Sequence, residues 1–382
     1  MNNDAFGETT SPFLTGFFDA EPGGGFAPGA EVELHHELDR LNRYTTLPRE
    51  FTRRRSARLS VATRYLALSG KIRGPHYDDR GKALTGAYKT VAKGPAKMTR
   101  RVRHDFNPEP CQFGPLEGIT ITPPNYLAEL PDIFYLHGGG YTSPPSLPHW
   151  WLVSELAEQF GTRVHCMRYP LIPQSTAIET VSAVVKGFLA AVTELGEAPI
   201  VGGDSSGGGL SLALALSLRD IHATMPAHLI LFAPWIDLTA STPGFDDCET
   251  RDPVLAQAGI DLAAEIYAGN LDRRNPIVSP LFGDPTGLCP TTVVLGSNDA
   301  LYAEGAAWVD KAEQAGVDVG VFTAKGGFHV FPAATFLPES HAALNYIHQR
   351  LNSLHKDSVP TNDATDGPTE ADLTASSELQ IA

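Results

Sequence analysis

Apolar residues recur along most of the chain in two alternating patterns. Short runs rich in β-branched and aromatic residues, each bounded by Gly, Pro, Asn or Asp, predict strands: "EGITITPP", "DIFYLHG" (132–138), "TRVHCMRYPL", "APIVGG", "HLILFAPWIDL" (228–238), "TTVVLGSND" (291–299) and "DVGVFTAK". Longer stretches between them carry no breaker and predict helices: "HWWLVSELAEQFG", "STAIETVSAVVKGFLAAVTELG", Gly207 to Arg219, "AGIDLAAEIYAG", "AEGAAWVDKAEQAG" and "ESHAALNYIHQRLNSLH". In the longest, Ser175 is the expected N-cap and Gly196 lies near the end. Strands alternating with helices predict an α/β fold with a mostly parallel, doubly wound sheet covered on both faces. Upstream, Pro48 to about Arg103 reads as helices interrupted at Gly74-Pro75 and Gly94-Pro95. Their expected apolar face is Leu59, Val61, Ala62, Tyr65, Leu66 and Leu68.

The chain therefore divides into an irregular or partly disordered segment (1–45), a helical segment (46–103), an α/β domain (104–355) and a tail (356–382). The tail is acidic, poor in apolar residues and expected to be disordered. A proline-bearing insertion, 239–290, separates two of the strands, and no internal repeat is visible.

Charge adds one feature. The formal net charge is −15, yet residues 49–103 carry 16 Lys and Arg against Glu50, Asp78 and Asp79, a surplus of 13 positive charges. The remainder holds 28 negative ones in excess. A basic segment can meet nucleic acid or anionic lipid. Here no aromatic interleaving accompanies it and an acidic body lies on the same chain, so a solvated or body-facing segment is expected, with no nucleic-acid partner. No apolar run reaches the roughly 18 residues a membrane span needs. The N-terminus lacks the basic-then-apolar order of a secretion signal. Cys111, Cys166, Cys248 and Cys289 are scattered without metal-type spacing and are expected to be reduced thiols. With no N-x-S/T acceptor in the chain, a cytoplasmic location is expected.

The chemistry concentrates at predicted strand ends. "VGGDSSGGGL" places Gly203-Asp204-Ser205-Ser206-Gly207 between a strand and a helix, the setting that turns G-x-S-x-G into a nucleophile elbow. His137-Gly138-Gly139-Gly140-Tyr141 follows an earlier strand, Asp299 follows a later one, and His329 in "KGGFHVFP" follows the last. In doubly wound sheets, ligands gather at these carboxyl ends. The order glycine loop, Ser, Asp, His differs from that of chymotrypsin-type proteases, in which His and Asp precede Ser. An upstream "VHC" (164–166) echoes the protease histidine but falls inside a predicted strand. Asp252 and Asp237 are alternative acids, and His341 and His348 alternative bases inside a predicted helix. Asp204 is expected to make local backbone hydrogen bonds and no chemistry. His137 is expected to support the glycine loop.

Together HGGGY (137–141), GDSSGG (203–208), the aspartate of "NDALYAEG" and the histidine of "GFHVF" resemble the hormone-sensitive-lipase-like (GDXG) esterases, from roughly residue 100 to 352. The departures are Ser206 for the usual Ala, Asp299-Ala300-Leu301 for Asp-Pro-Leu, and "YPLIPQ" (169–174) for "YRLAPE". The resemblance implies an α/β-hydrolase fold with a helical cap drawn from the N-terminal helices, with the insertion 239–290 as a further candidate part of it. It also implies a serine carboxylic-ester hydrolase acting on short- to medium-chain or aryl esters, with lactone or amide hydrolysis and a non-catalytic small-molecule receptor as rivals. Ser205 would be the nucleophile, His329 its base and Asp299 the group that orients the imidazole. Backbone N–H groups of Gly138, Gly139, Gly140 and Ser206 would receive the oxyanion, each such donor contributing about 3 kcal/mol. Tyr141, Trp150, Trp151, Trp235 and Phe331 are candidates for the substrate pocket. No metal or organic cofactor is called for, the partner is a small ester or lactone, and a homodimer is left open.

Overall fold

Leu229, Ile230, Leu231 and Phe232 are consecutive and all buried, as in a strand covered on both faces. The computed structural model describes residues 55–69 and 80–358. Its strands are β1 (Glu109–Phe113), β2 (Leu116–Ile121), β3 (Ile133–Leu136), β4 (Val164–Arg168), β5 (Ile200–Asp204), β6 (Leu229–Phe232), β7 (Thr291–Gly296) and β8 (Val319–Ala324). They form one sheet in the order β1-β2-β4-β3-β5-β6-β7-β8. Neighbours from β4 to β8 pair in parallel, and β2 runs antiparallel to both β1 and β4.

The helices are α1 (Ala57–Ser69), α2 (Arg80–Lys93), α3 (Arg100–Asp105), α4 (Leu147–Phe160), α5 (Ala177–Leu195), α6 (Ser206–Asp220), α7 (Phe245–Arg251), α8 (Gln257–Ala268), α9 (Tyr302–Gln314) and α10 (Pro338–Ser358). Alternate strand residues enter two separate cores, as the two-residue period of a strand demands. Phe134, Val201, Leu231 and Val293 join the core filled by α5, α6, α8 and α9. Tyr135, Ile200, Ile230 and Val294 join the one filled by α1, α3, α4 and α10.

Local chemistry sets the helix ends. The N-cap of α5 is Thr176 rather than Ser175, because Glu179 three residues into the helix accepts the Thr176 N–H at 2.6 Å and its hydroxyl at 3.0 Å. Gly196 closes that helix at φ 79°, a left-handed conformation that suits glycine. Along α1, Leu59, Ala62 and Leu66 are buried while Val61, Tyr65 and Leu68 are exposed, so the apolar face is half as wide as the sequence suggested. A period of three to four residues separates the two sets. The strand expected over 228–238 stops at Phe232, after which the chain turns toward the site. Strand β1 and helix α7 were not anticipated. The expected irregular segment 1–45 lies outside the described residues, as does the expected tail beyond Ser358. Among the described residues, no helix is long and apolar enough to cross a membrane.

Glycines permit the tightest contact of the fold. A Cβ on Gly203 would strike the carbonyl of Gly207, and a Cβ on Gly207 would strike that of Leu136, so the first turn of α6 lies directly on the ends of β5 and β3. Gly207→Ala is therefore expected to lower stability by about 1–3 kcal/mol. Gly86→Ala, in an exposed turn of α2 with nothing within 4 Å, is expected to raise it by about 0.5–1 kcal/mol. Chemical denaturation of both variants checks the contrast.

Candidate active site

Ser205 sits where β5 becomes α6, with φ 52° and ψ −121°. A side-chain-bearing residue in this region carries strain of order 1–3 kcal/mol and persists only when its surroundings fix it. Here they do. The Ser205 N–H donates to the Phe232 carbonyl at 2.9 Å, and its own carbonyl accepts from Trp235 at 2.8 Å and Gly209 at 3.0 Å. Two further residues with positive φ flank the same mouth: Tyr141 (φ 59°), after the glycine loop, and Val330 (φ 50°), after His329.

Parallel strands lie roughly 4.8 Å apart, so β5 and β8, three positions apart in the sheet, deliver loops that must reach toward one another. They meet at His329. Its Nε2 lies 2.9 Å from Ser205 Oγ, and its Nδ1 lies 3.0 Å from each oxygen of Asp299. In the neutral ring, Nδ1–H donates to the carboxylate and Nε2 accepts the serine proton, which is the arrangement able to draw that proton away. Burial alone would lower the imidazole, but Asp299 beside it, with Asp252 and Asp204 further off, outweighs that and holds it above its ordinary 6.5.

The alternative partners are occupied elsewhere. Asp237 accepts from the backbone and hydroxyls of Thr239 and Thr242 and from the Ser241 N–H. Asp252 accepts from the N–H groups of Val254, Leu255 and Ala300. Burial and the neighbouring Asp299 charge push Asp252 up to about 6. His165, of the "VHC" stretch, is buried within β4 between Thr120 and Asp132.

The glycine loop is held from beneath. Asp204 Oδ1 accepts from the Tyr135 hydroxyl at 2.8 Å and from the Gly138 N–H at 2.9 Å, while Oδ2 accepts from His149 Nε2 at 3.2 Å. These partners are distant in sequence, so the local role expected for Asp204 is corrected. Burial would raise its carboxyl, but His149, Tyr135 and Gly138 reverse that and hold it below the ordinary 3.8. His149 Nδ1 accepts the Ser146 N–H at 2.8 Å at the start of α4, which leaves Nε2 as the donor to Asp204. His137 stacks on Tyr169 at 4.5 Å, and burial pushes it down to about 3, so it stays neutral. The Ser206 hydroxyl accepts the Tyr141 N–H at 3.3 Å.

With its N–H committed to Asp204, Gly138 drops from the oxyanion candidates. Gly139 and Gly140 line the cavity beside Ser205. That cavity, about 440 Å³, is walled by Tyr65 and Leu66 of α1, by residues between Val254 and Ala263, and by the segment from Phe328 to Ala334. Trp235 lines it; Tyr141, Trp150 and Phe331 do not. Tyr141 stacks on Tyr267 with ring centres 3.6 Å apart, Trp150 donates its indole N–H to the Ala96 carbonyl at 2.7 Å, and Phe331 packs toward Phe322 in the core. Trp151 also lies outside the lining. Aromatic residues near a loop were equally good core material, and within the insertion named as candidate cap nothing singled out Val254 to Ala263 as the wall.

The family model for the alpha/beta hydrolase fold matches residues 133–333. An esterase of Acinetobacter venetianus is 33% identical over 232 residues, 59% of this chain and 76% of its own length. An acetyl-hydrolase of Streptomyces hygroscopicus is 32% identical over 216 residues, 56% of this chain and 72% of its own. A crystal structure of a hormone-sensitive lipase from a metagenome library superposes with TM-score 0.67 at 25% identity, covering 77% of this chain and 98% of that one.

Proton NMR of His329 tests the electrostatics. A midpoint above 6.5 is expected in the folded chain, and Asp299→Asn should lower it because burial then dominates. Since the folded value exceeds the unfolded one, the pair adds stability below the unfolded value, and that stability fades as pH rises through the folded one. A midpoint indifferent to Asp299→Asn would contradict this account of the ring.

Proposed function

We propose, for a chain that belongs to the alpha/beta-hydrolase fold family and within it to the hormone-sensitive-lipase-like esterases, that ester cleavage proceeds through an acyl-enzyme on Ser205. The chain is a hydrolase of carboxylic esters. The single observation carrying the finer reading is the hydrogen-bonded line from Asp299 through His329 to Ser205, opening on an apolar cavity.

In this reading His329 takes the serine proton as Oγ attacks the ester carbonyl, then returns a proton to the departing alcohol. Asp299 holds the Nδ1–H tautomer and stabilises the imidazolium that forms. The oxyanion is received by the N–H groups of Gly139, Gly140 and Ser206, the last standing at the N-terminus of α6. Water, activated by the same imidazole, then attacks the acyl-enzyme and releases the acid. Asp204 plays no part in proton transfer; it fixes the glycine loop through Gly138.

The cavity supports an uncharged, apolar ester. Its lining is largely aliphatic, its polar part carries Thr142, Ser143, Ser146, His149 and Asp204, the last with its charge already met by donors, and no lysine or arginine lines it among the described residues. A volume of about 440 Å³ suits a short- to medium-chain or aryl ester and lies within the usual range for small-ligand sites. The α1 residues Tyr65 and Leu66 and the wall from Val254 to Ala263 together serve as the cap over Ser205.

Ser205→Ala should reduce ester turnover by about 10⁴-fold or more while leaving the melting temperature within a few degrees, since only one hydroxyl is removed. Retained turnover would remove Ser205 from the mechanism. A panel of p-nitrophenyl esters, lactones and anilides should be turned over fastest as esters of two to eight acyl carbons; faster lactone turnover would reassign the substrate.

A further inference from the structure

Asp252 is 1% exposed, and its three hydrogen bonds all go to the main chain. Oδ1 accepts from Val254 at 2.6 Å and Leu255 at 3.0 Å; Oδ2 accepts from Ala300 at 2.7 Å. Val254 and Leu255 begin the aliphatic wall of the cavity, and Ala300 directly follows Asp299. One carboxylate thus ties two segments 48 residues apart in sequence.

We propose that Asp252 is a positioning residue of the hydrolase, holding the cavity wall and the main chain beside Asp299 as one unit and supplying a second negative charge that His329 feels. The proposal rests on the Ser205 acyl-enzyme reading. Asp252 touches neither imidazole nor substrate, so its influence passes through Asp299 and through space. An ionised carboxylate suits this place because it only accepts. An amide would turn its NH₂ on the Ala300 N–H or on the Val254 and Leu255 pair, setting donor against donor. The groups facing Asp252 are Asp299, from the loop after β7, and His329, from the loop after β8. Asp299 disfavours its charge and His329 favours it, while Asp204 also acts on His329.

Two protonations therefore bear on activity as pH falls. One places a proton on His329 and removes the base; the other places a proton on Asp252 and loosens the anchor. A residue that merely capped a loop would leave the acid limb to His329 alone.

The test is the pH profile of kcat/KM for p-nitrophenyl butyrate, taken where near-UV circular dichroism is constant and only on turnover that a fluorophosphonate abolishes. The unaltered chain should lose activity on the acid side more steeply than one proton allows. Asp252→Asn should restore a one-proton limb, move it to lower pH because His329 has lost a stabilising charge, and lower kcat/KM at neutral pH on the order of tenfold. A one-proton limb in the unaltered chain, or an Asp252→Asn limb of unchanged slope and position, would overturn the proposal. The profile of the unaltered chain decides the matter even where the variant does not fold. Turnover that survives Ser205→Ala would instead indict the acyl-enzyme reading itself.

Discussion

The contact on which the site depends is the packing of the first turn of α6 against the carboxyl ends of β3 and β5. Gly203 and Gly207 bring main chain against main chain there, and no side chain fits between. The chain must then reverse within one residue, which places Ser205 at positive φ with its hydroxyl on the open side. The same contact sets the N-terminus of α6 beside the glycine loop, so the serine hydroxyl, the first helical N–H groups and Gly139 and Gly140 share one mouth. A backbone this close cannot drift independently of the sheet, and the strain at Ser205 is held by bonds from Phe232, Gly209 and Trp235.

Around that mouth the protein buries three carboxyl groups and gives each a different environment. Asp204 is surrounded by donors and stays anionic beneath the glycine loop. Asp299 faces the imidazole. Asp252 takes only backbone N–H groups and lies close enough to Asp299 for that neighbouring charge to disfavour its own. Negative charge concentrated behind a single histidine favours the protonated ring, which is the form that develops as a serine is activated. In the proposed mechanism the N–H groups of Gly139, Gly140 and Ser206 would receive the oxyanion.

Much of this was legible in the chain because it is written in short-range terms. The alternation of apolar runs fixed the sheet, and the spacing of Gly203, Ser205 and Gly207 announced a strained turn. Asp299 and His329 stood out because each follows a strand with glycine nearby. What escaped was whatever depends on the third dimension. "EPCQF" lacks the density of apolar residues that marks a strand, and β1 exists because β2 offers it an edge. Tyr141, Trp150 and Phe331 sit near the right loops yet turn inward, since a large ring gains as much from a core as from a pocket. His149 gave no sign of its bond to Asp204, 55 residues away, and Asp252 stood out only as a rival acid, since its bond to Ala300 spans 48 residues. Gly138 is set apart from its two neighbours by its hydrogen bond to Asp204 and by their positive φ, neither of which the sequence displays.

Rapid-quench mass spectrometry during turnover of p-nitrophenyl acetate tests the central claim most directly. A single acetyl group should appear transiently on the peptide bearing Ser205, at a level that falls as substrate is exhausted, and should be absent from a His329→Ala variant. Turnover with no covalent adduct, or with the acetyl group on any other residue, would contradict the account.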